Sequence, residues 1–261
     1  MKYLYIAFIF LFVFFSCKTV NIKEKEYLKK NVVYKKMISK SESINSATIS
    51  GSLQISGNKN IPAVYISFSV TADIASKKSI LKLSVLSKPL LDLYMNSGEF
   101  IIVNHTDNNY VRLNDSVVDF SKILGFNFNP IELVYFLLGL VPYSDDLQMI
   151  DFIKNKTEYQ LKLTNQTTNF VIIIDDEEKI VSARLQNQFF DPLTIDILSY
   201  NTMENGEVIP QRLKVKPDNN NVSMTFVIRS TSIDKVSIDD FTNTSNYFQL
   251  DDPEKIIIKI K

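Results

Sequence analysis

The stretch Asn129–Gly139, with the sequence NPIELVYFLLG, decides how this chain folds. Asparagine is a favoured N-cap residue and proline is favoured at the first helical position, so the pair predicts a helix that starts at Pro130. Leu133 to Leu138 continue the helix, and Gly139 is typical of the position just after a helix end. Because this helix is apolar nearly all round, we expect it to be buried on most faces rather than to lie on a surface.

Residues before this helix alternate between apolar and polar with a period of two, which predicts strands. The six predicted strands cover Ala47–Ser56, Pro62–Val70, Ile80–Leu86, Leu90–Met95, Glu99–Asn104 and Tyr110–Leu113. Turn-forming residues such as glycine, asparagine and proline separate them. Connections this short join only antiparallel neighbours, so the strands predict a meander.

A second short helix is predicted over Ser144–Ile153, and strand patterns return after it. These later strands cover Glu158–Leu163, Phe170–Ile174, Ile180–Leu185, Leu193–Tyr200, Arg212–Lys216 and Val222–Ile228. Four acidic residues in a row, Asp175–Glu178, separate two of them. We interpret this acidic run as a solvated, unpaired hairpin turn rather than as a cation site.

These elements predict a mainly β (α+β) fold. The expected architecture is a strongly curved antiparallel sheet, or half-barrel, of about 10–12 strands wrapped around one or two helices. A sheet long enough to curl needs something to fill its concave face, and the apolar helix supplies it.

The chain opens with Met1-Lys2 and an apolar run, Tyr3–Ser16, that ends at the single cysteine, Cys17. A short positive start, an apolar stretch and a small residue before the break are typical of a secretory signal peptide, here residues 1–16. The alternative is an uncleaved membrane helix. The fourteen residues of the run are fewer than the roughly 20 that are needed to cross a bilayer core, which favours the signal peptide.

The residues Phe14-Phe15-Ser16-Cys17 resemble the lipobox of bacterial lipoproteins. The resemblance implies cleavage before Cys17, a diacylglyceryl group on its sulfur and a further acyl chain on its new amino terminus. It also implies a lipid-anchored protein of the bacterial cell envelope. Lys18 is not the aspartate that retains enterobacterial lipoproteins in the inner membrane, which favours the outer membrane, facing the periplasm. Residues 17–24 then form a lipidated tether.

Residues 25–43 are rich in lysine and glutamate and carry apolar residues near helical spacing, which predicts a first amphipathic helix. Lysine plus arginine and aspartate plus glutamate balance at 29 each. No bulk charge therefore attracts nucleic acid, and we expect no nucleic-acid partner.

The sequence offers no catalytic set. His105 is the only histidine, and we interpret it as a loop residue. The nucleophile-elbow pattern G-x-S-x-G does not occur, and zinc sites usually recruit several cysteines and histidines. We therefore predict no catalytic residue, no metal site and no cofactor, and we do not expect an enzyme.

The element order resembles the LolA/LolB-like fold of lipoprotein-carrier proteins: a helix, a six-strand meander, an apolar helix and more strands. Ser87–Leu91 looks like the Pro-Leu-bearing loop of the LolB type, although Leu91 stands where that loop has glycine. Tyr110 lies where the family has a tyrosine-bearing strand, and Asn129–Pro142 looks like the family's helix with its Leu-x-Gly-x-Pro ending. Tyr247–Pro253 resembles the approach to the final strand. The resemblance covers residues 25–261 as a single domain.

A curved sheet lined by apolar side chains offers a wide apolar cavity. Such a cavity suits acyl chains, because burying each CH₂ returns roughly 0.8 kcal/mol. The predicted lining residues are Val64, Ile66, Phe68, Leu83, Val85, Leu93, Ile101, Leu133, Phe136 and Leu137. The alternative is that these side chains fill one another's space and leave no cavity. The predicted function is binding of the acyl chains of a lipid or lipoprotein during its localisation. Since a fold does not fix a function, a non-catalytic assembly or scaffold lipoprotein with a protein partner stays open.

Leu90 and Leu91 are predicted as a membrane or cargo contact. If the loop Ser87–Leu91 protrudes as in the LolB type, it exposes an apolar residue that folding does not require, and such residues mark contacts. The alternative is that Leu91 begins the next strand and that both leucines belong to the core.

Overall fold

We describe the protein from a computed structural model. The structure describes residues 31–57, 65–96, 98–113, 129–155, 157–189, 191–203, 206–218, 222–234, 238 and 246–250. The chain divides into two compact units, Met1–Lys40 and Ser41–Lys261. Cys17, the predicted signal peptide, the tether and the boundary at residue 24 lie outside the described residues.

The first predicted helix is confirmed where the structure describes it. Residues 31–42 form helix α1, and the remainder of the predicted range at residues 25–30 lies outside the description. Among the described residues, no helix is long and apolar enough to cross a membrane.

In the unit Ser41–Lys261, the residues that the structure describes form one sheet of fourteen strands. The strands are β1 Ser46–Ser56, β2 Tyr65–Asp73, β3 Lys78–Val85, β4 Lys88–Asn96, β5 Glu99–Asn104, β6 Asn109–Leu113, β7 Gln148–Lys154, β8 Glu158–Thr164, β9 Thr168–Asp175, β10 Ile180–Asn187, β11 Leu193–Thr202, β12 Val208–Pro217, β13 Ser223–Ile233 and β14 Phe248–Gln249.

The strand order is β14-β6-β5-β4-β3-β2-β1-β13-β12-β11-β10-β9-β8-β7. Two meanders, β1–β6 and β7–β13, therefore run outward from a central antiparallel pair, β1 and β13. The short β14 alone runs parallel to its neighbour, β6. This curved, mainly β sheet around an apolar helix confirms the predicted fold class.

One predicted helix is wrong. The residues expected as a helix over Ser144–Ile153 contain instead the strand β7, which pairs with the edge of β8. The pairing supplies hydrogen-bond partners to the backbone of β7 and places Phe152 opposite Leu161. The centre of the Phe152 ring lies 5.5 Å from that of the Tyr159 ring. Pairing with the next strand of the chain therefore overrode the local helical pattern.

The acidic run Asp175–Glu178 is a turn between β9 and β10, as expected, but it is not unpaired. Glu177 forms an ion pair with Lys179. The carboxylate of Asp175 accepts hydrogen bonds from the backbone N–H groups of Glu177 and Lys179. The acids therefore close a tight hairpin through local contacts.

The apolar helix is present as α2, Pro130–Leu137, with the predicted ends. The side chain of Asn129 accepts hydrogen bonds from the backbone N–H groups of Ile131 and Glu132, which caps the first turn. Gly139 follows with φ at +71°, a left-handed conformation that favours glycine. A Cβ on Gly139 would also stand 3.0 Å from Pro210, so the neighbouring ring reinforces the choice of glycine.

Helix α2 packs against β1, β2, β3 and β12. Its apolar side chains from Leu133 to Leu138 are all buried. These strands belong to both meanders, β1–β3 to the first and β12 to the second. Helix α2 therefore lies on the concave side of the sheet and contacts both meanders.

Candidate functional site

The face of the sheet that meets α2 is a continuous apolar surface. Cross-strand partners in an antiparallel sheet lie on the same face. On β10–β12 this face carries Leu185 opposite Leu193 and Ile195 opposite Val215, and these side chains lie beside Leu133 of α2. The register continues the face through Leu213, Phe226, Leu53, Ile66, Phe68, Leu83 and Leu91. We call this surface the inner face.

Most of the predicted lining residues lie on the inner face or in α2. Ile66, Phe68, Leu83 and Leu93 are buried on the inner face. The three predicted helix residues, Leu133, Phe136 and Leu137, are also buried. Val85 shares the face by register but is only half-buried at the end of β3, and Val64 lies outside the described residues.

Ile101 is the exception, because it lies on the opposite face of the sheet. It stands opposite Tyr94 and Arg112, whereas its neighbour Ile102 pairs with Leu93 of the inner face. Ile101 belongs to a separate apolar cluster with Val103 and Tyr110. Strand β5 is buried on both faces, so its sequence contains no alternation that could identify the inner residues.

Little room remains between α2 and the inner face at β10–β12. The pocket beside Leu133 has a volume of about 20 Å³, which is of the order of a single water molecule. At this position the side chains of the helix and the sheet fill one another's space, as the alternative interpretation expects. An acyl chain would need the helix and the sheet to move apart.

A larger cleft of about 600 Å³ opens beside the start of α2. One side of it is the helix face that carries Ile131, Glu132 and Tyr135, which are spaced three and four residues apart and therefore share that face. The other lining residues are Glu42, Ile44, Asn45, Ile74, Ala75, Lys77, Asn129, Pro142, Tyr143, Ser144, Asp145, Asp146, Asn165 and Gln166. No local pattern in the sequence indicates this cleft, because its residues come from distant parts of the chain.

Glu132 lies between the cleft and the small apolar pocket and lines both. Its carboxyl group accepts a hydrogen bond of 3.2 Å from the hydroxyl of Thr168, which in turn accepts a bond of 2.9 Å from the Asn187 amide. Burial raises the pKa of Glu132 from 4.5 to about 7, and the Thr168 bond opposes that rise. Near neutral pH this carboxyl group is therefore partly protonated.

Tyr135 lies one turn after Glu132, and only 1% of its surface is exposed. Among the described residues, its hydroxyl oxygen is buried and finds no hydrogen-bond partner. Burial raises the pKa of this phenol to about 12, and the nearby Tyr143 adds to the rise. A buried hydroxyl without a hydrogen-bond partner costs free energy, so a ligand that formed a hydrogen bond with Tyr135 would be favoured in the cleft.

The two leucines predicted as a contact loop are buried in β4, with exposures of 7% for Leu90 and 0% for Leu91. The exposed apolar residue of this hairpin is Leu86, at 91%. Leu86 and Ser87 form the two-residue connection between β3 and β4, and both have positive φ, at +48° and +65°. Such a pair of conformations is typical of type I′ hairpin turns. The exposed leucine of this hairpin is therefore Leu86, which precedes the predicted Leu90 and Leu91 in the sequence.

His105 is confirmed as a residue of a turn, between β5 and β6, and it makes specific contacts there. Its Nδ1 atom lies 2.8 Å from the hydroxyl of Tyr247, and its Nε2 atom lies 3.3 Å from a carboxylate oxygen of Asp92. Tyr94 donates a hydrogen bond of 3.2 Å to the same oxygen. These contacts attach the chain around β14 to the sheet. Within the described part of the chain, no cluster of acidic, histidine or cysteine side chains could hold a metal ion.

Solved structures of known proteins share this fold. A LolA superfamily protein from Nitrosomonas europaea matches with a TM-score of 0.56 and 10% identity over 78% of this chain and 94% of that chain. A DUF1329 family protein from Desulfovibrio piger matches with a TM-score of 0.52 and 9% identity over 80% and 93%. A putative outer membrane lipoprotein-sorting protein domain from Vibrio parahaemolyticus matches with a TM-score of 0.52 and 8% identity over 79% and 93%.

The chain therefore has a LolA/LolB-like fold, which confirms the resemblance. No family model and no curated protein sequence matches it. At identities this low the likeness concerns the fold alone, so the function must be argued from the site.

Proposed function

We propose that this protein is a membrane-anchored lipoprotein of the bacterial envelope that binds acyl chains of a lipid or lipoprotein in localising its cargo. Acyl chains on Cys17 attach it to the outer membrane, on the periplasmic side. In this proposal the domain is a non-catalytic carrier, and its binding surface is the inner face together with α2.

The observation that carries this proposal is the inner face itself. An apolar surface extends from β10 across the central pair to β4, and the short apolar helix α2 packs against it. An acyl chain offers the same chemistry as the side chains of α2. Each CH₂ that enters this environment gains roughly 0.8 kcal/mol, so a chain can compete with the helix for the surface.

A photoreactive fatty acid tests the proposal. The full chain in a neutral detergent is incubated with hexadecanoic acid that carries a diazirine at its end, irradiated and digested, and the labelled peptides are identified by mass spectrometry. We expect labels on inner-face residues such as Leu83 and Leu93 and on α2. The outer-face residue Ile101 is the internal control. Labels confined to the peptides around Ile101, or the absence of saturable labelling, would contradict acyl binding on the inner face.

Leu86 is the proposed contact with the membrane or the cargo, in place of the buried Leu90 and Leu91. A leucine that is 91% exposed at the tip of a tight hairpin contributes little to the core. It can insert shallowly into a bilayer while the hairpin stays folded. Its two-residue turn holds it on a rigid pair of strands rather than on a long loop.

The alternative function is that of an envelope scaffold lipoprotein with a protein partner. The small volume beside Leu133 favours it, and so does the edge strand β7, where Ile150 is 63% exposed. An edge strand with apolar side chains can pair with a strand of another protein. Affinity purification of the full chain from its native membrane separates the two functions. A stoichiometric protein partner without bound lipid supports the scaffold, and bound lipid supports the carrier.

A further inference from the structure

The cleft beside the start of α2 has an excess of acidic side chains. The carboxyl groups are those of Glu42, Glu132, Asp145 and Asp146, and the basic group among the described lining residues is that of Lys77. The nearby Ser144 hydroxyl and the Gln166 backbone N–H, which donates a hydrogen bond of 2.9 Å, lower the pKa of Asp146, so this group stays ionised. The cleft therefore favours a cation over an anion or a neutral molecule.

Glu132 has no counter-ion among the described residues, although it lines the cleft. Its hydrogen bond comes from the neutral hydroxyl of Thr168, and no lysine, arginine or histidine among the described residues forms an ion pair with it. Burial without a cation is also the reason for its raised pKa. A cation that entered the cleft would remove this penalty.

Tyr135 provides an independent sign of a ligand. Its buried hydroxyl has no partner among the described residues, and it lines the same cleft one helical turn from Glu132. A phenol oxygen can accept a hydrogen bond from a ligand and can also donate one. The cleft therefore offers one carboxyl group and one unpaired hydroxyl on the same face of α2.

We propose that the cleft binds a primary ammonium group, with the carboxylate of Glu132 as its counter-ion and the hydroxyl of Tyr135 as a hydrogen-bond acceptor. A primary ammonium has three N–H donors, so it can satisfy both groups at once. Hydrogen bonds between ionised partners are roughly twice as strong as neutral ones. A quaternary ammonium has no N–H donor and leaves the Tyr135 hydroxyl unpaired, so we expect it to bind more weakly. This inference does not depend on acyl binding by the inner face.

Isothermal titration of the full chain in a neutral detergent at pH 8 tests the site with hexylammonium chloride as the probe. Hexanol and hexyltrimethylammonium have the same alkyl chain and are the comparison compounds. We expect saturable binding of hexylammonium and weaker binding of both comparison compounds. Glu132→Gln should weaken hexylammonium binding by about tenfold or more, because a hydrogen bond to a charged group contributes about 1.5–3 kcal/mol.

Two further variants make the result decisive. Tyr135→Phe retains the buried ring and should weaken hexylammonium binding severalfold, so it also tests the site if Glu132→Gln does not fold. Glu158→Gln, at an exposed position on β8, is the matched control and should bind as the wild type does. Equal binding of hexanol and hexylammonium, or wild-type affinity in folded Glu132→Gln and Tyr135→Phe, would overturn the inference.

The ammonium group could belong to a lipid headgroup or to a soluble amine, and a competition experiment distinguishes them. Displacement of hexylammonium by lysophosphatidylethanolamine but not by lysophosphatidylglycerol indicates the lipid headgroup. Binding of hexylammonium that neither lipid displaces indicates a soluble amine, and both results support the ammonium site. If the photoreactive fatty acid labels the inner face but hexylammonium does not bind, the ammonium site is refuted and the proposed acyl binding stands.

Discussion

Replacing Glu132 by glutamine should change how the stability of the protein depends on pH. In the folded protein the pKa of Glu132 is about 7, against an ordinary value of 4.5. The folded state therefore holds the proton more tightly than the unfolded state does. The stabilisation that comes from this proton is fully present below about pH 4.5 and is lost as the pH rises through about 7.

The size of the effect follows from the pKa difference. Each pKa unit corresponds to about 1.4 kcal/mol, so a rise from 4.5 to about 7 amounts to about 3 kcal/mol. Glutamine resembles the protonated carboxyl group: it stays neutral and can still accept the hydrogen bond from Thr168. Glu132→Gln and the wild type should therefore be about equally stable near pH 4.5, and the variant should be more stable by up to about 3 kcal/mol above pH 8.

Urea unfolding followed by circular dichroism measures this difference at half-unit steps from pH 4.5 to 8.5. The other ionisable groups contribute equally to both proteins, so the difference between the two curves isolates Glu132. Glu158→Gln is the control, and its curve should run parallel to that of the wild type. Parallel curves for Glu132→Gln and the wild type across the whole range would refute the reasoning that partial burial without a counter-ion raises the pKa of Glu132.

Three other substitutions have clear expected outcomes. Cys17→Ala should abolish incorporation of a palmitate analogue in metabolic labelling, and undiminished label would show that the anchor lies elsewhere. Gly139→Val should lower the melting temperature by at least a few degrees, because a left-handed residue with a Cβ costs about 1 kcal/mol and the new side chain meets Pro210 at 3.0 Å; an unchanged melting temperature would argue against this helix end. In a secreted form without Cys17, Leu86→Glu should keep near-normal stability and lose liposome binding. Leu90→Glu should instead cost several kcal/mol, because it buries an unpaired charge, and the opposite pattern would return the contact to Leu90.

Local rules explain which parts of the fold the sequence could predict. The sequence predicts both ends of α2, because each end is set by residues within one helical turn of it. These are the Asn129 cap with the proline after it at the start, and the left-handed Gly139 at the end. The sequence predicts β1–β3 and most later strands for the same reason, because one face of each of these strands is buried and their apolar residues recur with a period of two. The curved sheet then followed from the number of strands and the single apolar helix.

The remaining features depend on how strands pair with one another rather than on the pattern within a single strand. Strand β7 forms because β8 offers it an edge with which to pair. The register of β5 places Ile101 on the outer face of the sheet, and the sequence does not show this because β5 is buried on both faces. The protruding leucine is Leu86 rather than Leu90 because the pairing of β3 with β4 sets the position of the turn.

For the site, the sequence by itself determined that an apolar helix would meet an apolar sheet, since composition and periodicity are local properties. Tertiary structure alone decided that the two fit together with so little space beside Leu133. It also decided that Glu132 would contact Thr168, 36 residues away, and line an acidic cleft with no counter-ion among the described residues. The physical reason is that burial and charge pairing depend on which distant side chains come together, and that choice is made only when the whole sheet closes around the helix.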